Sequence, residues 1–256
     1  ATLVAAALTR EVTMASFLLC RRMGQRMKLE NRLTVIALHG IAVCDEEIES
    51  AMAQVTEHAG SPRVRWIFPR AGRRNLTILN GSSAFSWYDV STCDRSRLDE
   101  AGIEDATAMI CRTVREERAS DPFGRGVILM GFSLGGALAL NAGLRLQGEI
   151  DGIIALATAV PFLYRIGEAT PQSPPVFFGH GLLDTVVPYT VGRESQRLLA
   201  SRHYETEWHT YAYGHTTGRR QLCDVSRWLQ SRFLENRAGV FHPAALNPRL
   251  SAPRAA

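Results

Sequence analysis

The sequence predicts an α/β fold, in which a mostly parallel central sheet carries helices on both faces. Short apolar segments of strand length alternate along the chain with longer segments whose apolar residues recur at helical spacing. Some of the short segments, such as residues 127–130, are apolar throughout, which is typical of strands buried on both faces of a parallel sheet. The length of 256 residues is suitable for one large domain.

The first half of the chain begins this alternation. Residues 33–38 and 64–68 are short apolar runs and are predicted to be strands, and residues 46–59 between them fit a helix. A long polar loop is predicted over residues 69–101. Apolar residues recur at helical spacing in residues 104–118, which predicts a second helix.

The second half of the chain repeats the pattern. Continuous apolar runs or a two-residue alternation predict the strands, and helical periodicity predicts the helices. In chain order, the predicted elements are strand 127–130, helix 134–146, strand 153–157, strand 176–179, helix 191–201, strand 206–211 and helix 221–233. In a sheet of this kind, functional side chains are expected on the loops that follow the carboxyl ends of the strands.

The two ends of the chain differ in composition from its centre. Residues 1–27 combine two apolar stretches with several arginines, and we interpret them as an N-terminal extension, with a targeting peptide or a surface helix as alternatives. Residues 241–256 contain prolines among alanine and arginine, which predicts a flexible C-terminal tail. Residues 28–240 are therefore predicted to form the folded domain.

Composition argues against several classes of protein. Basic residues outnumber acidic ones by only 29 to 25 and are scattered, so no nucleic-acid partner is expected. No segment has the roughly 18 consecutive apolar residues that a membrane-spanning helix needs. The five cysteines are widely spaced and form no metal-binding pattern, which favours a reduced, cytoplasmic protein without a bound metal.

A serine between glycines is the most informative motif. Gly131-Phe132-Ser133-Leu134-Gly135 matches the G-x-S-x-G pattern of a nucleophile elbow, with an apolar strand before it and a helix after it. Glycine is needed on both sides because side chains at these positions would collide in so tight a turn. The hydroxyl of Ser133 would project above the sheet, next to the free amides at the start of the helix.

A serine nucleophile needs a base and an acid that orients the base. In the fold that carries this motif the acid follows the serine in the chain and the histidine comes last, and Asp184 and His215 satisfy that order. Each follows a predicted strand, so we expect both to meet Ser133 at one edge of the sheet. Asp151 precedes its strand and should lie at the opposite edge, and His180 is expected to shape the loop of Asp184.

The oxyanion formed during acyl transfer needs two hydrogen-bond donors. We assign one to the backbone amide of Leu134, which directly follows the nucleophile. The other is assigned to the amide of Ile41, in the loop after the first strand, where this fold places its second donor.

Taken together, these motifs resemble the α/β-hydrolases of the acyl-protein thioesterase, carboxylesterase and phospholipase type. The resemblance extends from about residue 33 to residue 235 and includes Trp87-Tyr88-Asp89. It implies an α/β-hydrolase fold and a cofactor-free serine hydrolase that acts on acyl esters or thioesters, including acylated proteins or lipids. It also implies that Trp87 and Tyr88 help to bind substrate; alternatively, they only anchor the long loop.

The sequence departs from that family at two places near the site. Ala42 follows Ile41 where the family usually has Gly-Asp soon after His-Gly, and Leu134 replaces a common glutamine. Acyl chain length and leaving group are therefore not carried over. Two alternatives stay open: a lysophospholipase-type lipid esterase, and a non-catalytic ligand-binding protein on the same fold.

Overall fold

A computed structural model of the protein describes five stretches of the chain, which are residues 33–42, 44–59, 63–91, 97–121 and 124–235. The predicted N-terminal extension (residues 1–27) and C-terminal tail (residues 241–256) lie outside the described residues. The boundaries of the folded domain therefore stay predictions.

Within these stretches, six parallel strands form the central sheet, and two further strands form a separate hairpin. In chain order the strands are β1 (Leu33–Leu38), β2 (Val64–Ile67), β3 (Arg73–Asn75), β4 (Ser83–Phe85), β5 (Gly126–Phe132), β6 (Gly152–Leu156), β7 (Val176–Gly181) and β8 (Thr206–Tyr211). The order across the main sheet is β2-β1-β5-β6-β7-β8. Each predicted strand lies in this sheet, and the predicted parallel arrangement is confirmed.

In the described part of the chain, helices cover both faces of the sheet, as predicted. They are α1 (Asp45–Ala59), α2 (Glu100–Ser120), α3 (Leu134–Gly143), α4 (Tyr189–Ser201) and α5 (Arg219–Leu229). β1 shows how the faces are divided: Leu33 and Val35 pack with α1 and α5, whereas Ile36 and Leu38 pack with α2 and α3. Burial of alternate side chains on opposite faces explains why the strand is apolar throughout.

The prediction of a single polar loop over residues 69–101 was wrong. This segment contains an antiparallel hairpin, in which β3 pairs with β4 around a short 3₁₀ turn at Thr77–Leu79. The chain reverses at Asn80 and Gly81, whose φ angles of 52° and 83° are left-handed. Both strands are three residues long, and all of β3 is exposed, so neither has an apolar period that a sequence pattern could reveal.

The helix ends also differ from the predicted ones. α2 begins at Glu100, several residues early, because the Asp99 side chain caps it by accepting a hydrogen bond from the amide of Gly102. α5 ends at Leu229 and continues as a π-helical segment, Gln230–Glu235, instead of remaining α-helical to residue 233. The order of the elements is unaffected.

The described stretches bear on two further classes of site, a membrane span and a metal centre. None of the helices there is both long enough and apolar enough to cross a membrane. The same residues contain no group of three or more histidine, cysteine or acidic side chains arranged to hold a metal ion.

Candidate active site

Ser133 lies in the turn between β5 and α3, where the G-x-S-x-G pattern predicts it. Its φ of 53° and ψ of −119° form a combination that residues other than glycine rarely adopt. The amide of Ser133 donates to the Leu156 carbonyl at 2.8 Å, and the Ser133 carbonyl accepts from the amide of Ala137 at 3.0 Å. Hydrogen bonds with β6 and with α3 therefore hold the strained backbone in place.

Gly131 and Gly135 make this turn sterically possible. A Cβ atom on Gly131 would overlap the carbonyl oxygen of Gly135, and one on Gly135 would overlap the carbonyl oxygen of Leu38. Both obstructing atoms belong to the backbone, so no side-chain rotation can relieve the contact. The requirement for glycine on both sides of the serine, predicted from the motif, thus has a direct cause in the packing of β1, β5 and α3.

We predict that Gly131→Ala lowers the free energy of unfolding by about 3 kcal/mol, since the added methyl group must displace backbone in a packed core. Urea unfolding followed by circular dichroism measures this change. Gly167→Ala is the matched control, because a Cβ there would have no heavy atom within 4 Å. A Gly131→Ala protein within 1 kcal/mol of wild type would show that the turn has room for a side chain.

The side chains of Ser133, His215 and Asp184 form one hydrogen-bonded chain. His215 Nε2 lies 2.8 Å from Ser133 Oγ, and His215 Nδ1 lies 2.8 Å from Asp184 Oδ2. The other carboxylate oxygen, Oδ1, accepts the amides of Val186 and Val187, both at 2.9 Å. With Nδ1 donating to the carboxylate, Nε2 is free to accept the serine proton, which is the arrangement that nucleophilic catalysis requires.

Two other sequence candidates, His180 and Asp151, occupy structural positions. His180 is buried, which lowers its pKa, and its Nε2 donates to the Val187 carbonyl at 2.9 Å, so it braces the loop that carries Asp184. The Asp151 carboxylate accepts the amide of Val127 at 2.8 Å, at the start of β5 and thus at the opposite edge of the sheet.

The loop after β1 runs directly against the nucleophile. A Cβ atom on Gly40 would lie 3.3 Å from Cβ of Ser133, which places the neighbouring residue Ile41 beside the serine. Leu134 is the first residue of α3, and the first four amides of a helix have no partner within it. Ile41, Ser133 and Leu134 line the same cavity, and the assignment of the two backbone amides as oxyanion donors stays a prediction.

The hairpin and its flanking residues hold this loop in position. Ala42 and Phe85 exchange two backbone hydrogen bonds, of 3.2 and 2.8 Å. The indole Nε1 of Trp87 donates to the His39 carbonyl at 2.8 Å, and the His39 ring accepts the amide of Ala71 at 3.1 Å. Sequence reasoning missed these contacts because it did not identify the hairpin.

A cavity of about 120 Å³, here called the Ser133 cavity, opens beside the nucleophile. Its walls are mostly apolar and include Ile78, Leu134 and Val187. Of the two predicted substrate-binding residues, Tyr88 lines this cavity, whereas Trp87 lines a separate cavity beside Ala71. Ile78 and Val187 were not identified from the sequence, although Val187 follows Asp184 in the same loop.

Known proteins resemble this chain over most of its length. A family model described as Phospholipase/Carboxylesterase matches residues 25–232. Acyl-protein thioesterase 1 of Neurospora crassa is 29% identical over 211 residues, covering 78% of this chain and 86% of that protein. Carboxylesterase SOBER1 of Arabidopsis thaliana is 26% identical over 208 residues, or 78% of this chain and 91% of that protein.

Solved structures show the same fold. The crystal structure of Arabidopsis thaliana SOBER1 has a TM-score of 0.67 with this chain at 24% identity, covering 78% of this chain and 99% of that one. Zea mays acyl-protein thioesterase 2 gives a TM-score of 0.65 at 22% identity, covering 78% of this chain and 94% of that one. The central sheet and its helices are therefore an architecture that these esterases share.

Proposed function

Because the chain belongs to the phospholipase/carboxylesterase family of α/β-hydrolases, we propose that it is a serine hydrolase of acyl esters and thioesters, with Ser133, His215 and Asp184 as its catalytic triad. The observation that carries the proposal is the unbroken series of hydrogen bonds, 2.8 Å from Ser133 to His215 and 2.8 Å from His215 to Asp184. A non-catalytic binding protein has no need of this geometry.

In the acylation step, Ser133 Oγ attacks the acyl carbonyl carbon and His215 Nε2 takes the serine proton. The buried carboxylate of Asp184 stabilises the imidazolium that forms. The amides of Leu134 and Ile41 stabilise the oxyanion of the tetrahedral intermediate. His215 then gives its proton to the leaving oxygen or sulfur, and the alcohol or thiol departs from an acyl-enzyme.

In the deacylation step, water takes the position of the leaving group. His215 accepts a proton from the water as it attacks the acyl carbonyl, and the same amides stabilise the second oxyanion. When the intermediate collapses, the proton returns to Ser133 and the carboxylic acid is released. The cycle consumes one water molecule for each ester or thioester bond.

The apolar walls of the Ser133 cavity indicate that the acyl group is the part of the substrate that binds there. Ile78, Leu134 and Val187 offer apolar surface next to the serine. Relatives named acyl-protein thioesterase and carboxylesterase support both sulfur and oxygen esters as substrates. A cytoplasmic location belongs to the same proposal, and the free thiols of Cys44, Cys111 and Cys223 are consistent with a reducing compartment.

We expect a fluorophosphonate probe to label the native full chain at Ser133, because such probes react with a serine that is activated by a neighbouring base. Mass spectrometry of the digested protein locates the label, and prior incubation with excess thioester substrate should slow its appearance. Heat-denatured protein is the control and should stay unlabelled, since the hydrogen bond to His215 is lost. Labelling of a different serine, in protein that hydrolyses a p-nitrophenyl ester, would refute the assignment.

A further inference from the structure

A second and larger cavity is lined by His215. Its volume is about 490 Å³, and we call it the α1 cavity because one wall consists of α1, including Ile48, Met52 and Val55. The carboxyl ends of β1 and β5, together with residues 215–217, also line it. The described residues that line this cavity include none of those that line the Ser133 cavity.

The hydrogen bond between Ser133 and His215 connects residues that line the two cavities. Ser133 lines the smaller one and His215 the larger one, and the 2.8 Å contact between Oγ and Nε2 connects them. The ring of Phe132, with its centroid 4.9 Å from that of His215, forms part of the α1 cavity wall next to the imidazole. In a substrate bonded at Ser133, the acyl group can therefore extend into one cavity and the leaving group into the other.

The chemistry of ester cleavage distinguishes these parts. The leaving atom must come within hydrogen-bond distance of His215 Nε2, because that nitrogen gives it a proton. The acyl carbon must stay bonded to Ser133, beside the predicted oxyanion amides of Leu134 and Ile41. The acyl chain is therefore held on the Ser133 side and the leaving group on the His215 side.

We propose that the α1 cavity is the leaving-group subsite, and that it takes the alcohol or thiol portion of substrates in which this portion is apolar and neutral or cationic. This inference rests on the proposed hydrolase function, because it needs His215 to act as the acid. It adds to that function a binding site on α1 and a preference among leaving groups.

The charges around the cavity set that preference. Glu46 and Glu47, in the first turn of α1, line it, and among its described lining residues there is no lysine or arginine. The guanidinium of nearby Arg70 forms ion pairs with two other acidic residues of α1, Asp45 and Glu49. A hydrogen bond from the Cys44 side chain lowers the pKa of Glu46. Anionic leaving groups are therefore disfavoured.

The size of the cavity can be changed at Ala51. This residue is an exposed position of α1 that lines the cavity, and we expect a tryptophan there to narrow it. Ala53 is an exposed residue of the same helix that is not among the described lining residues, so Ala53→Trp is a matched control.

The test compares two butyrate thioesters, of ethanethiol and of 2-(2-naphthyl)ethanethiol, with thiol release as the readout. In the full chain, Ala51→Trp is expected to lower kcat/KM for the naphthylethyl thioester at least about tenfold, while leaving the ethyl thioester within about twofold. Ala53→Trp should leave both within about twofold. Equal effects of Ala51→Trp on the two thioesters, or an effect of Ala53→Trp as large as that of Ala51→Trp, would overturn the inference.

A second comparison tests the charge preference with butyrate thioesters of thiocholine and 2-mercaptoethanesulfonate. We expect the cationic thioester to be the better substrate, and the double variant Glu46→Gln/Glu47→Gln to reduce the ratio of the two kcat/KM values about threefold, since exposed charges are screened by solvent. A wild-type preference for the sulfonate, or an unchanged ratio in the variant, would contradict the charge argument.

Failure of the inference and failure of the proposed function give different results. If Ser133 is labelled by the fluorophosphonate and the ethyl thioester is hydrolysed normally, but Ala51→Trp does not discriminate by leaving-group size, only the α1 subsite is wrong. If wild-type protein is not labelled at Ser133 and hydrolyses none of these thioesters, the hydrolase function itself is wrong.

Discussion

Ser133→Ala is expected to lower kcat for a p-nitrophenyl ester by about 10⁴-fold or more, because it removes the atom that forms the acyl-enzyme. The fold should persist. The two backbone hydrogen bonds of residue 133, to Leu156 and from Ala137, do not involve the hydroxyl group. We therefore expect the free energy of unfolding to change by no more than about 1 kcal/mol. Steady-state kinetics measure kcat, and urea unfolding measures the free energy of unfolding.

Ser83→Ala provides the comparison for this variant. Ser83 is an exposed serine of β4, and its replacement should leave kcat within about twofold of wild type. Hydrolysis by Ser133→Ala at a rate close to that of wild type would show that another group is the nucleophile. Loss of activity accompanied by loss of the folded state would not count as support, which is why both measurements are needed.

Asp184→Asn is expected to lower kcat by about 10³- to 10⁴-fold, with little change in KM. The amides of Val186 and Val187 both donate to Oδ1, so the asparagine oxygen must stay on that side. Its NH₂ group then faces His215 Nδ1, where only an acceptor nitrogen can pair with it. The ring is thereby held with the proton on Nε2, and it can no longer accept the proton of Ser133.

Asp151→Asn is the control for this substitution. The carboxylate of Asp151 is also partly buried and accepts a hydrogen bond from a backbone amide, that of Val127. It lies, however, at the opposite edge of the sheet. Its replacement should leave kcat within about twofold at a temperature where the protein is folded. If Asp184→Asn loses less than tenfold in kcat, the carboxylate does not control the tautomer of His215.

The proximity of the three proposed triad residues could be predicted from the sequence because the fold links chain order to position. Ser133, Asp184 and His215 each follow a strand, β5, β7 or β8, and parallel strands bring their carboxyl ends to one edge. The three residues could therefore be placed at the same edge without knowing how the chain between them folds. The continuous apolar runs that identified the strands come from burial on both faces of the sheet.

The surroundings of the triad could not be predicted in the same way. β3 and β4 are too short and too polar to show a period, so their contact with the loop after β1 was missed. The position of Trp87 involves contacts between residues far apart in sequence, such as the hydrogen bond from its indole to the carbonyl of His39, 48 residues away. The α1 cavity depends on the distance between α1 and the sheet, and helical periodicity does not report that distance.

The support of the loop after β1 has a consequence for protein engineering. The segment that supplies Tyr88 to the Ser133 cavity also carries Trp87, which holds the backbone at His39, next to Gly40 and Ile41. We therefore expect substitutions in this segment that change the preferred acyl chain length also to lower kcat. Val187 also lines the cavity and lies outside that segment, but its amide donates to Asp184 Oδ1, so a mutant library there should vary its side chain without disturbing the backbone of the Asp184 loop.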